Sequence, residues 1–156
     1  LKKSYYKTAS LIANSCKSVG VLSGVSEDLI EQFYNYGRHL GLAFQIVDDV
    51  LDFTGTDEVL GKPAGSDLKS GNLTAPALYA MENAPYLVTL VEREFREAGD
   101  FEEAFALVQN SNGIERTRQL AKEHAQAAHS CLVDLPESES KEALEEITDY
   151  VLRRLY

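Results

Sequence analysis

Phe33, Gly37, Leu40, Phe44, Val47 and Leu51 recur at three- and four-residue intervals, the mark of a helix that buries one stripe. Similar spacing runs along most of the chain, and few segments alternate apolar and polar residues with the period of a strand. The pattern confines these 156 residues to an all-α fold, a helical bundle. A first helix is expected over 1–22, with Tyr5, Thr8, Leu11, Ile12 and Cys16 on one face. Ser23-Gly24 breaks it, and Ser26 then caps a second helix that runs to Phe53. Thr74 is placed to cap a third helix that ends at Asn83-Ala84-Pro85, with Pro76 in its first turn. Further helices are expected over 86–96, 101–109, 113–132 and 140–155; in the last, Leu144, Ile147, Val151 and Leu155 mark the buried face. Residues 136–141 are expected to be the loosest part, and the acidic run over 137–146 reads as a solvated helix face.

Composition narrows the function classes. The chain is 44% hydrophobic and carries both signs of charge, so it folds rather than remaining disordered. A net charge of −10 argues against a nucleic-acid binder, since phosphate contacts need clustered Lys and Arg. No apolar run approaches the roughly 20 residues that span a bilayer. Cys16 and Cys131 offer neither a disulfide framework nor zinc spacing, which suits a soluble protein of a reducing, intracellular compartment. No targeting segment is read at Leu1.

Residues 41–53, GLAFQIVDDVLDF, carry the chemistry. At about 100° per residue, Gln45, Asp48, Asp49 and Asp52 share one arc of about 100°. That arc lies beside the apolar stripe rather than opposite it, where a solvated face would lie. Three carboxylates on adjacent turns repel one another, and at a helix C-terminal end they also oppose the dipole. A bound cation relieves both penalties, and an all-oxygen donor set suits Mg²⁺ shared with substrate phosphates. A surface acidic patch is the plain alternative; an EF-hand is excluded because the alternating ligands and central glycine are missing.

The next stretch, 54–73, reads as a loop rich in glycine, and its length points to function. Lys62, Asp67 and Lys69 fall within it, and Lys7-Thr8 pairs an ammonium with a hydroxyl on the first helix. Lysine is a flexible point-charge binder of phosphate.

Taken together, Tyr6-Lys7-Thr8-Ala9-Ser10-Leu11, Gly41 with Phe44-Gln45, Asp48-Asp49-Val50-Leu51-Asp52-Phe53, Gly61-Lys62-Pro63 and Asp67-Leu68 leading to Thr74-Ala75-Pro76 resemble the trans-prenyltransferases, the all-trans polyprenyl diphosphate synthases. The likeness covers essentially the whole chain and is greatest to long-chain enzymes of the solanesyl type, from plastids or cyanobacteria. It implies the C-terminal part of an isoprenoid-synthase helical bundle, and a reaction in which an allylic diphosphate ionises, isopentenyl diphosphate attacks the cation, and a proton is lost. By the same resemblance Asp48, Asp49 and Asp52 are the second aspartate-rich motif and hold Mg²⁺ directly or through water, with Asp67 joining through that shell. Lys7 and Lys62 grip the allylic diphosphate, Thr8 and Gln45 stabilise the allylic cation, and Phe44 borders the isoprenoid channel. A homodimer is implied too.

Two departures stand out. The family usually carries Gly-Lys-x-Thr after the loop, whereas this chain has Gly71-Asn72-Leu73-Thr74, which leaves Lys69 as a substitute one turn away. The first aspartate-rich motif does not occur in these residues, so 1–156 is expected to be the C-terminal half of the synthase domain, partnered by the N-terminal half and inactive alone. A terpene or squalene-type synthase would also use Mg²⁺ on aspartate-rich helices, but Lys7-Thr8, Phe44-Gln45 and Gly61-Lys62 belong to chain elongation. A regulatory subunit of a prenyltransferase would have no need of three repelling aspartates. His39, His124 and His129 lack metal spacing, and Tyr5-Tyr6 and Tyr34 to Tyr36 read as packing residues.

Overall fold

A computed structural model describes residues 1–55, 61 and 63–155. Every regular element among them is helical: α1 (Lys2–Ser4), a π-helical turn (Tyr5–Ala9), α2 (Ser10–Leu22), α3 (Glu27–Thr54), α4 (Ser66–Lys69), α5 (Ala75–Met81), α6 (Pro85–Glu92), α7 (Asp100–Gln109), α8 (Gly113–Ser130) and α9 (Glu139–Arg153). The chain divides into two compact units, Leu1–Val47 with Leu120–Tyr156, and Asp48–Gln119.

In the first unit, small residues decide the packing. A Cβ on Gly41 would lie 2.6 Å from the Ala9 Cα, and one on Gly37 would lie 2.8 Å from the Ile12 carbonyl oxygen. Ala9 and Ala13 are fully buried opposite these glycines. The two backbones therefore approach as closely as glycine and alanine permit. The partners run in opposite order along the chain, so α2 and α3 form an antiparallel hairpin closed at Gly24 (φ +65°). The stripe expected on the first helix is displaced accordingly, and Leu11 is 75% exposed. The expected single helix over 1–22 is also interrupted. Ser10 N–H bonds the Tyr5 carbonyl, five residues back, so one extra residue bulges the helix at Lys7-Thr8.

Two contacts tie the rest of this unit to α3, and Ser26 caps its start. Tyr36 donates its hydroxyl to the Leu144 carbonyl at 2.9 Å, and Ser26 Oγ accepts the Leu29 N–H at 3.4 Å. His39 Nδ1 and His124 Nδ1 lie 2.9 Å apart. In α9 the buried face is Lys141, Thr148 and Val151, followed by buried Leu155 just past its end, with Leu144 half-buried; Ile147 is 49% exposed, contrary to expectation. Thr148 turns inward because its hydroxyl is satisfied by the Leu144 carbonyl at 2.9 Å. Residues 136–141, the stretch expected to be loosest, take part in three side-chain bonds. Ser138 Oγ accepts the Lys141 N–H at 3.2 Å, and buried Lys141 Nζ reaches Glu137 at 2.6 Å and the Leu135 carbonyl at 3.3 Å.

The second unit packs Phe53, Leu68, Ala77, Ala80, Leu87, Leu90, Ala104 and Val108 into one core. Phe53 stacks on Phe105 at 5.5 Å between centroids. The helix expected over 86–96 stops at Glu92, because Glu94 and Phe95 adopt left-handed backbone (φ +57° and +54°). The cause is Asp100, whose buried carboxylate pairs with Arg93 and accepts the Glu97 N–H at 3.1 Å, closing 93–100 into a turn. Thr74 occupies the N-cap position of α5 as expected, but its side chain makes no capping bond. Its hydroxyl is buried without a hydrogen-bond partner among the described residues. No helix of the described residues is long and apolar enough to cross a membrane.

Candidate active site

The first unit brings Thr8 and Gln45 together. Thr8 Oγ1 donates to Gln45 Oε1 at 2.8 Å, and Gln45 is 5% exposed. The bond exists because Gly41 lets the π turn lie against α3 one helical turn before Gln45. Lys7, next to Thr8, is exposed. Phe44 lies at the surface of α3, and the Arg154 guanidinium sits over its ring, 4.7 Å from the centroid. The tyrosines do more than pack: Tyr5 and Tyr34 join hydroxyls at 2.7 Å and line, with Arg38 and Leu42, an open cleft of about 330 Å³.

The second unit holds the acidic residues. Asp48 is half-buried, Asp49 is 6% exposed and Asp52 is 1% exposed, so the acidic arc faces inward. Asp52 is already engaged by the loop that follows. Its Oδ1 accepts the Ser66 hydroxyl at 3.1 Å, its Oδ2 accepts the Asp67 N–H at 3.2 Å, and its carbonyl accepts the Gly65 N–H at 2.7 Å. Gly65 is irreplaceable at that point: it sits at φ +71°, and a Cβ there would lie 2.6 Å from the Phe105 ring. Asp67 in turn accepts from Asn72, which the sequence marked only as a departure from the family pattern. Lys69 is exposed, with its ammonium 5.4 Å above the Phe101 ring centroid. Lys62 lies outside the described residues. Among the described residues no three His, Cys, Asp or Glu side chains gather into one metal-binding group. The carboxylate donors still match Mg²⁺, which is typically held by one or two carboxylates, water and substrate phosphate.

The histidine pair was not legible in the sequence, since its members are 85 residues apart and share no motif. The His124 pKa is lowered to about 4, first by burial and then by the facing His39 and by Arg38, with Glu123 opposing. Burial and Arg38 lower His39 as well. Both rings are therefore favoured neutral in the folded chain, whereas an unfolded histidine titrates near pH ~6.5. The unfolded state then takes up more protons as pH falls below that value, so the contribution to stability is complete above it and is lost on descending toward pH 4. Thermal unfolding followed from pH 7 to 4 should show this decline, and His124→Gln should flatten it. An equally steep decline in the variant would place the proton uptake elsewhere.

Comparison with known proteins decides the family. Residues 1–108 match the polyprenyl synthetase family model. The chain belongs to the polyprenyl synthetase family. Among this family's members, a prenyl transferase of Synechocystis sp. is 60% identical over 156 residues, all of this chain and 48% of the relative. The chloroplastic solanesyl diphosphate synthase 1 of Arabidopsis thaliana is 52% identical over 99% of this chain and 38% of the relative. Of solved structures, the apo form of an Arabidopsis medium/long-chain length prenyl pyrophosphate synthase superposes with a TM-score of 0.88 at 44% identity. That superposition covers 99% of this polyprenyl synthetase chain and 54% of the other. The chain thus spans about half the length of the curated relatives it matches, or less.

Proposed function

We propose that this chain is the C-terminal half of a catalytic unit that condenses isopentenyl diphosphate with an allylic diphosphate, building a long all-trans polyprenyl diphosphate of the solanesyl type. The observation that carries the reading is the inward-facing acidic end of α3, Asp48, Asp49 and Asp52, in a chain of the polyprenyl synthetase family. Solvated acids cost a helix little. Acids turned inward at a helix C-terminus cost more and are kept for a cation or a reaction.

Asp48 and Asp49 would hold Mg²⁺, with Asp52 and Asp67 joining through water. When bound, the ion neutralises the diphosphate and makes it a better leaving group. The chain's own residues do the rest. Lys7 and Lys62 grip the allylic diphosphate as point charges that follow it as it departs. Lys69 can add to that grip only by leaving the Phe101 ring. Thr8 gives its hydrogen to Gln45, so its oxygen lone pairs are left to face the positive charge that develops on the allylic carbon. Gln45 holds the Thr8 oxygen in place from within the core of its unit. The double bond of isopentenyl diphosphate then attacks the cation and a proton leaves.

The remaining catalytic parts, the first aspartate-rich motif and the isopentenyl site, belong to the other half of the enzyme in this reading, and the working form is a homodimer. The plastid and cyanobacterial relatives support an origin in one of those settings. The test is product analysis. The whole enzyme, given isopentenyl diphosphate, an allylic primer and Mg²⁺, should yield linear products that lengthen by one isoprene unit at a time. Cyclic or head-to-head products would assign a terpene or squalene-type synthase instead.

A further inference from the structure

His39 on α3 and His124 on α8 meet at the edge of the first unit's core. Their Nδ1 atoms lie 2.9 Å apart, and the rings are inclined at 36° with centroids at 5.1 Å. Among the described residues the two rings hydrogen-bond only each other. Each stands on a firmly seated backbone. Leu40 and Ala43 follow His39 into the core, and Ala121, Ala125 and Ala128 do the same around His124. Both rings are only half-buried, so a solvated ion can reach them. The charged side chains that act on the pair are Arg38, which faces both rings, and Glu123, which acts on His124.

We propose that His39 and His124 together bind a single Cu²⁺ or Ni²⁺ ion that bridges α3 to α8. A first-row ion holds imidazole nitrogen at about 2.0–2.1 Å, so two such nitrogens at a right angle stand about 2.9 Å apart, against about 3.3 Å for a tetrahedral pair. The observed separation fits the right angle, which Cu²⁺ and Ni²⁺ prefer with nitrogen and oxygen donors. Among the described residues no third His, Cys, Asp or Glu joins the pair, so water fills the remaining positions. Binding replaces the hydrogen bond. The donating ring releases its Nδ1 hydrogen to water and takes up another at its own Nε2, so both Nδ1 lone pairs face the ion and the pair's charge is unchanged. Arg38 opposes the charge of the ion, and Glu123 offsets it on the His124 side. The site differs in chemistry from the acids of α3, since imidazole suits Cu²⁺ and Ni²⁺ and carboxylate suits Mg²⁺. It does not depend on the prenyl-transfer reading.

The test is Cu²⁺ titration of the metal-stripped whole protein, read by electron paramagnetic resonance. The parent should take up a Cu²⁺ ion whose spectrum shows two equatorial imidazole nitrogens. His39→Gln and His124→Gln should each weaken that site by at least about tenfold, since losing a direct ligand costs no less than losing an outer-shell partner. His129→Gln, whose ring pairs instead with Asp149, should leave it unchanged. Ni²⁺ should compete better than Mn²⁺, and excess Mg²⁺ should not displace the bound ion. Parent affinity and an unaltered spectrum in folded His39→Gln or His124→Gln would overturn the proposal. Should both variants unfold, the parent decides alone: no bound Cu²⁺, or a spectrum with fewer than two imidazole nitrogens, overturns it as well. The readout needs no substrate, so it stands whether or not the protein elongates prenyl chains.

Discussion

Asp48→Ala in the whole enzyme is expected to lower turnover by at least about a hundred- to a thousandfold, the range seen when one preorganised charge-stabilising group is removed from an active site. Asp48 is half-buried at the acidic end of a helix, where its carboxylate opposes the dipole. Asp49→Ala should lose activity similarly. Asp52→Ala should behave differently. Asp52 is buried and accepts from Ser66 and from the Asp67 backbone, so its loss leaves two part-buried donors unpaired and lowers stability by about 1–3 kcal/mol. Steady-state kinetics beside thermal unfolding separates the cases. Unchanged kinetics in Asp48→Ala would remove the central residue of the proposed site.

The 156-residue chain on its own is expected to incorporate no radiolabelled isopentenyl diphosphate, a complete loss rather than a reduced rate. An ionising diphosphate carries charge on both its phosphates, and a one-sided set of acids cannot match all of it. The relatives carry about as much chain again beyond the part matched here. Adding a segment that bears the first aspartate-rich motif should restore incorporation. Turnover at a normal rate by the chain alone would show that the other half is dispensable.

Periodicity was enough to read most helices, because a helix burying a stripe of Leu, Ile, Val and Phe must repeat every three or four residues. It misled wherever burial was not carried by large apolar side chains. In α2 the contact surface is Ala9, Ala13 and the glycines of α3, so Leu11 was assigned inward and lies outward. In α9 the satisfied Thr148 and the paired Lys141 are inside, and Ile147 is outside. The end of α6 was placed too late because Asp100, eight residues past Glu92, decides where the backbone turns.

The same division holds for the site. The identities of Lys7, Thr8, Gln45, Asp48, Asp49 and Asp52, and the inward placement of the acids, follow from local order, since residues close in sequence on one helix share a face whatever surrounds them. The bond between Thr8 and Gln45, the capture of Asp52 by Ser66, the hold of Asn72 on Asp67 and the meeting of His39 with His124 were decided by tertiary structure alone. Each joins groups on different turns or helices. Those approaches depend on three-dimensional distance, which spacing along the chain does not encode.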